Sequence, residues 1–188
     1  MPFRFEALAT SGAMIVEPTV LTDDRGSFVE VYKRSLFAEA GIYESFAQEN
    51  VSISRRGVLR GLHYQRAPHA QNKLVRVARG EIYDVIVDLR HDAGAEKRWT
   101  SVRLSEATRR MLYVPGWCAH GFCVTSDEAE VVYLTSSEYA PLHEHGVMWN
   151  DPALQIEWPV SSPIVSARDL VWPPFQALRR SARTGNGK

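Results

Sequence analysis

The chain has 188 residues, 45% hydrophobic and 23% charged, with 22 Lys+Arg against 22 Asp+Glu. That length suits one domain with a sizeable core, and the charge balance argues against a nucleic-acid or membrane-surface binder, which would carry a basic excess. No apolar run approaches membrane-spanning length, and Glu6, Thr10 and Ser11 interrupt any signal-peptide stretch. The expectation is a cytoplasmic protein with one domain over residues 1–178 and a flexible basic tail over 179–188, where Arg179, Arg180, Arg183 and Lys188 lie.

From the N-terminus, the first turn signal is Asp24-Arg25-Gly26. The clearest helix follows at Ser35–Gly41 (SLFAEAG), where Ser35 suits an N-cap and Gly41 a terminating position. Arg56-Gly57 turns the chain into GVLRGLHYQ, in which an extended Leu59–Tyr64 places Leu59, Gly61 and His63 on one face. After Arg79-Gly80, Tyr83, Val85, Val87 and Leu89 alternate with Asp84, Ile86 and Asp88. Asp92-Ala93-Gly94 separates that run from Thr100, Val102 and Leu104, which alternate with Ser101, Arg103 and Ser105. Pro115-Gly116 marks a further turn, and Pro159, Pro163, Pro173 and Pro174 make the chain after about residue 150 an irregular tail wrapped on the rest. Short strands at this spacing predict an all-β fold, an antiparallel sandwich or barrel with few helices.

Cys118 and Cys123 flank His120 in PGWCAHGFC. Their spacing is not that of a CxxC metal motif, and a disulfide is disfavoured in a reducing compartment, so packed thiols are expected.

Four segments concentrate reactive side chains. In GVLRGLHYQ, Gly61 on the face of His63 leaves room for a ligand to approach the strand. In QNKLVR, alternation puts Lys73 on the face of Val75 and Val77, and an inward lysine is costly unless it is paired or functional. In VVYLTSSEY, Tyr133, Thr135, Ser137 and Tyr139 share a face, a polar lining more natural in a ligand cavity than in a dry core. In SARDL, Asp169 could orient a histidine and Arg168 could meet an anion.

GVLRGLHYQ, KLVRV with GEIYDVIVDLR, VPGWCAHGF, VVYLTSSEYAP, WNDPALQIEWP and SARD closely resemble the dTDP-4-dehydrorhamnose 3,5-epimerase family, in order and spacing over about residues 13–175. The resemblance implies a cupin-like β-jelly-roll barrel, a homodimer, and no metal or organic cofactor. It also implies a substrate, a dTDP-4-keto-6-deoxy sugar whose C3 and C5 protons are acidified by the C4 ketone. Such an epimerase needs a base on one face of the sugar, an acid on the other, and a group that stabilises the enolate oxygen. By the same resemblance His63 is the base and Asp169 its orienting partner. Tyr133 is the acid, and Lys73 is the cation at the C4 oxygen. Arg25, Phe28, Glu30, Gln48, Asn50, Arg60, Lys73, His120, Tyr139, Glu144 and Arg168 match ligand-contacting positions, several of which can act across a dimer interface. Phe28 and Tyr139 are the candidate platforms for the thymine ring, and the arginines suit a diphosphate.

Three other readings compete with this one. Relatives in deoxysugar pathways epimerise C3 or C5 alone. A metal-dependent cupin would need clustered histidines, and His69 and His120 do not stand in that pattern around His63. A non-catalytic sugar-nucleotide module would have no use for His63, Tyr133, Lys73 and Asp169 together. Leu134, where many family members carry lysine, and the basic tail are the two departures from the family pattern.

Overall fold

The computed structural model describes residues 2–8, 11–90 and 98–178. The Asp92-Ala93-Gly94 turn and the 179–188 tail lie outside the described residues. The strands, in chain order, begin with β1 (Phe3–Ala7), β2 (Met14–Pro18), β3 (Val20–Asp23) and β4 (Gly26–Val29). After the helix α1 (Arg34–Glu39) come β5 (Gln48–Arg55), β6 (Val58–Gln65), β7 (Lys73–Arg79) and β8 (Glu81–Asp88). The chain continues through β9 (Trp99–Ser105), β10 (Met111–Val114), β11 (Cys118–Val124), β12 (Glu128–Thr135), β13 (Glu144–Gly146) and β14 (Ile164–Val165).

Two antiparallel sheets form the body, one in the order β1-β2-β10-β7-β12-β5 and the other in the order β13-β6-β11-β8-β9. β14 adds to β6 in parallel, and β3–β4 is a separate hairpin. Period-two alternation explains what lies between the sheets. Val75 and Val77 of β7, Ile82 and Ile86 of β8, Leu112 and Val114 of β10, and Val131 of β12 form one buried cluster. Each such side chain, removed from water, contributes about 1.5–3 kcal/mol.

Both outer faces are covered as well. Leu74, Met111 and Tyr113 pack with Phe37 of α1 and with Phe3 and Val16. On the other side Val85, Val87 and Trp99 pack with Val147, Leu154 and Phe175, and the Trp99 Nε1–H donates to the Leu154 carbonyl at 2.7 Å. The proline-rich segment therefore wraps on the second sheet, as its composition suggested. This double coverage makes β10 buried at every position.

The helix begins two residues earlier than the capping signal implied. Lys33 is its N-cap and makes no side-chain capping bond, so Ser35 sits inside the first turn. Gly41 does end it, at φ +86, with Gly41 N–H donating to Ala38 O at 3.0 Å and Ile42 N–H to Phe37 O at 2.9 Å. That pattern is a Schellman closure.

The departure from strict alternation that shapes the site lies in β6. His120 of β11 faces His63, and two residues on Phe122 faces Arg60, three residues away on β6. The extra residue is a bulge, which switches the strand's parity and re-aims its side chains. Leu62 consequently packs outward with Val85 and Val87. The open space expected beside Gly61 is also absent: a Cβ there would meet Gly121 Cα at 2.6 Å. The glycine serves a close approach of two backbones, not of a ligand, and it puts Arg60, rather than Leu59, on the face of His63.

Candidate active site

A cavity of about 690 Å³ opens between the sheets. Of the residues singled out from the sequence, Gln48, Asn50, Arg60, His63, Lys73, His120, Tyr133, Tyr139, Glu144, Arg168 and Asp169 line it. Arg25, Phe28 and Glu30 do not. They belong to the β3–β4 hairpin and its exit, where Phe28 is exposed and Arg25 forks onto Asp23 at 2.6 Å.

β14 brings the distant partner of His63 into place. Ile164 and Val165 pair alongside Val58 and Leu59, so the turn that follows falls beside the bulge. Asp169 N–H donates to Ser166 O at 3.0 Å within that turn, and the buried carboxylate stands 2.6 Å from His63 Nε2. SARDL is a surface loop in which Ser166, Ala167, Arg168 and Leu170 are exposed and Asp169 alone turns inward. Trp172 Nε1–H and Gly61 N–H also donate to Asp169, at 3.2 and 3.4 Å. Trp172 lies against Gly146, which faces His63 from β13 and has no room for a Cβ. Burial pushes the Asp169 carboxyl up, but the bonds from His63, Gly61 and Trp172 and the His63 charge outweigh it and hold the group below the usual carboxylate range. An ionised Asp169 fixes the His63 proton on Nε2 and leaves Nδ1, a potential base, without a partner among the described residues.

Tyr133 stands on β12, in the sheet opposite that of His63, and both reach the same cavity. Burial raises its phenol above the ordinary value, Glu144 adds to the rise, and Arg60 and Arg168 oppose it. The group is accordingly a phenol at neutral pH, able to give a proton. Lys73, buried at the start of β7, donates to the His63 carbonyl at 3.3 Å. Burial pushes its ammonium down to about 8, against the charges of Asp84 and Glu144.

Polar side chains at the rim hold one another. Tyr139 OH donates to Glu144 Oε2 at 2.6 Å, and Arg168 donates to the same oxygen at 2.8 Å. Gln48 Nε2–H donates to Asn50 at 2.8 Å, and Arg60 Nε–H to Ser54 Oγ at 3.0 Å. Cys118 and Cys123 are buried thiols, as expected, and burial pushes Cys118 up to about 12. No group of three His, Cys, Asp or Glu placed to hold a metal occurs among the described residues.

A model of the dTDP-4-dehydrorhamnose 3,5-epimerase family matches residues 7–177. The chain belongs to this family. It is 46% identical to the dTDP-4-dehydrorhamnose 3,5-epimerase of Methanothermobacter thermautotrophicus, over 93% of this chain and 95% of the relative. It is 42% identical to the dTDP-4-dehydrorhamnose 3-epimerase of Streptomyces niveus, over 88% and 81%. The dTDP-6-deoxy-D-glucose-3,5-epimerase of Legionella pneumophila, solved in complex with dTDP-4-keto-L-rhamnose, superposes with a TM-score of 0.88 at 35% identity, covering 93% of each chain. The two-sheet body is thus the cupin-like jelly roll of these epimerases.

Sequence reasoning missed Asp84 as a site residue. It is fully buried beside the cavity, with both carboxylate oxygens 2.9 Å from His120 Nε2. The signal was present: in EIYDVIVD the aspartate shares its face with Ile82 and Ile86, and a carboxylate on an apolar face needs a cation. Gln71 and Trp172 were likewise passed over.

Proposed function

We propose that this chain is a dTDP-4-dehydrorhamnose 3,5-epimerase, converting dTDP-4-keto-6-deoxy-D-glucose to dTDP-4-keto-L-rhamnose by removing and returning protons at C3 and C5. The observation that carries this reading is the placement of His63, held by Asp169, and Tyr133 on opposite sheets facing one cavity. An epimerase must take a proton from one face of a carbon and supply one to the other. His63 Nδ1 takes the proton beside the ketone and becomes imidazolium, which Asp169 stabilises. The electron pair moves onto the C4 oxygen, where the Lys73 ammonium offsets it. The Tyr133 phenol then protonates the same carbon from the opposite side. Exchange of both groups with solvent restores the starting charges before the second carbon reacts.

Gln48, Asn50, Arg60, His120, Tyr139, Glu144 and Arg168 form the cradle for the nucleotide sugar in this scheme. The chain acts as a homodimer, in which Arg25, Phe28 and Glu30 of one protomer complete the cavity of its partner. The exposure of Leu21 and Phe28 on the hairpin, and of Val51 and Ile53 on the edge strand β5, supports that assembly. No helix among the described residues is long and apolar enough to cross a membrane, and we place the enzyme in the cytoplasm. Residues 1–178 act as one domain, without metal or organic cofactor.

A single-centre epimerase is the second reading, favoured by the similarity to the Streptomyces niveus 3-epimerase. Incubation with dTDP-4-keto-6-deoxyglucose in deuterated water, followed by NMR of the sugar, separates the two. Label at both C3 and C5 is expected. Label at one carbon selects the second reading, and label at neither rules out both.

A further inference from the structure

The proton-transfer scheme leaves a second histidine–aspartate pair in the same cavity unused. His120 is the direct cross-strand neighbour of His63, and Asp84 reaches it from β8, on the other side of β11. Both imidazoles line the cavity, each met at Nε2 by a buried carboxylate. Neither Nδ1 has a hydrogen-bond partner among the described residues. Asp84 has no exposure at all, and a carboxylate so placed is costly unless cations or donors face it. Burial pushes its carboxyl up, while His120 and the Lys73 charge oppose the rise.

We propose that Asp84 is a positioning residue: it keeps the His120 proton on Nε2, so that Nδ1 faces the bound 4-keto sugar as an acceptor for one of its hydroxyls. The proposal rests on the epimerase reading above. It assigns the neighbouring imidazoles different tasks with one construction, since His63 meets a carbon-bound proton and His120 a hydroxyl. Asp84 also supports Lys73, whose charged form it favours together with Glu144 of β13, while Cys118 of β11 stays a neutral thiol. That ammonium donates to the His63 carbonyl of β6, and His120 of β11 and Tyr133 of β12 line the same cavity.

The test compares wild type, Asp84→Asn, His120→Gln and the double variant by deuterium entry into dTDP-4-keto-6-deoxyglucose across pH, with dTDP affinity as the check on folding. Asp84→Asn is expected to lower kcat by about 10- to 100-fold, as loss of the outer partner of a functional imidazole does, with dTDP affinity changed less than about twofold. The alkaline limb of its pH profile moves to lower pH, because Lys73 loses a favourable charge; a purely structural role would leave that limb in place. Below the alkaline limb, where Lys73 keeps its proton, the double variant is no slower than His120→Gln alone, because there Asp84 acts through His120. An Asp84→Asn rate within about threefold of wild type with an unmoved limb, or losses that multiply in the double variant, overturns the proposal. Should Asp84→Asn not fold, nitrogen NMR of wild-type His120 decides: a neutral ring with its proton on Nε2 supports the proposal, and a proton on Nδ1 overturns it. Failure of the wild type to exchange would instead sink the epimerase reading itself.

Discussion

Replacing Asp169 by asparagine changes one charge at the centre of the site and almost no volume. The carboxylate accepts from His63 at 2.6 Å, from Trp172 at 3.2 Å and from Gly61 at 3.4 Å. An amide keeps one oxygen for these donors and can turn its NH2 toward His63 Nε2. The imidazole then carries its proton on Nδ1, the nitrogen that must accept one from the sugar. Loss of general-base catalysis costs about 10²–10⁴-fold in rate, or about 3–5 kcal/mol of barrier. Weaker substrate binding alone would instead raise KM and spare kcat. The assay is deuterium entry at C3 and C5 at neutral pH, with dTDP affinity measured on the same preparation. A kcat within about threefold of wild type, with intact dTDP binding, would refute His63 as a base oriented by Asp169. The same pair has a stability consequence. The folded Asp169 carboxyl lies below its ordinary value, so its contribution is present above the unfolded pKa of about 4 and is lost as pH falls through the folded one. Wild type should therefore lose stability faster than Asp169→Asn on acidification below about pH 4, read by thermal unfolding.

Four further outcomes are expected. Tyr133→Phe should abolish inversion by about 10²–10⁴-fold while His63 still exchanges label on its own face of the sugar, so NMR would find deuterium in uninverted substrate. Loss of both together would refute separate roles for the two groups. Lys73→Met should lower kcat about 10²–10³-fold, and the wild-type profile should fall off as pH rises through about 8, where the buried ammonium loses its proton; an alkaline limb unchanged in the variant would contradict that assignment. Gly61→Ala, whose Cβ would meet Gly121 Cα at 2.6 Å at φ +136, should cost about 1–3 kcal/mol of stability in denaturant unfolding. Phe28→Asp should shift the sedimentation profile toward monomer and raise KM, and an unchanged dimer with unchanged KM would remove the hairpin from the interface.

Much of the fold was legible because period-two alternation is a local property. It placed Lys73 with Val75 and Val77, set Tyr83, Val85 and Val87 opposite Asp84 and Ile86, and both patterns hold in the barrel. Turn chemistry was equally local: Arg56-Gly57 and Arg79-Gly80 lie where glycine adopts φ near +80. Capping was less so, since Ser35 competes with its neighbours for the helix start and packing of Phe37 decides it. Motif resemblance reached further and named residues that the cavity brings together. It could not say which side chains belong to this protomer's cavity, and Arg25, Phe28 and Glu30 stand apart from it.

Taken alone, the sequence determined the strands, their inward faces and the reactive residue types, because each follows from a few neighbouring side chains. Only the tertiary structure decided where the register slips and which distant groups meet. The bulge at Gly61 depends on how closely β11 approaches through Gly121, and no property of β6 by itself encodes that distance. Asp169 meets His63 from 106 residues away along the chain, and Asp84 becomes a partner of His120 only because β8 and β11 pair in one register. Burial then sets their charges, and burial is a property of the assembled sheets.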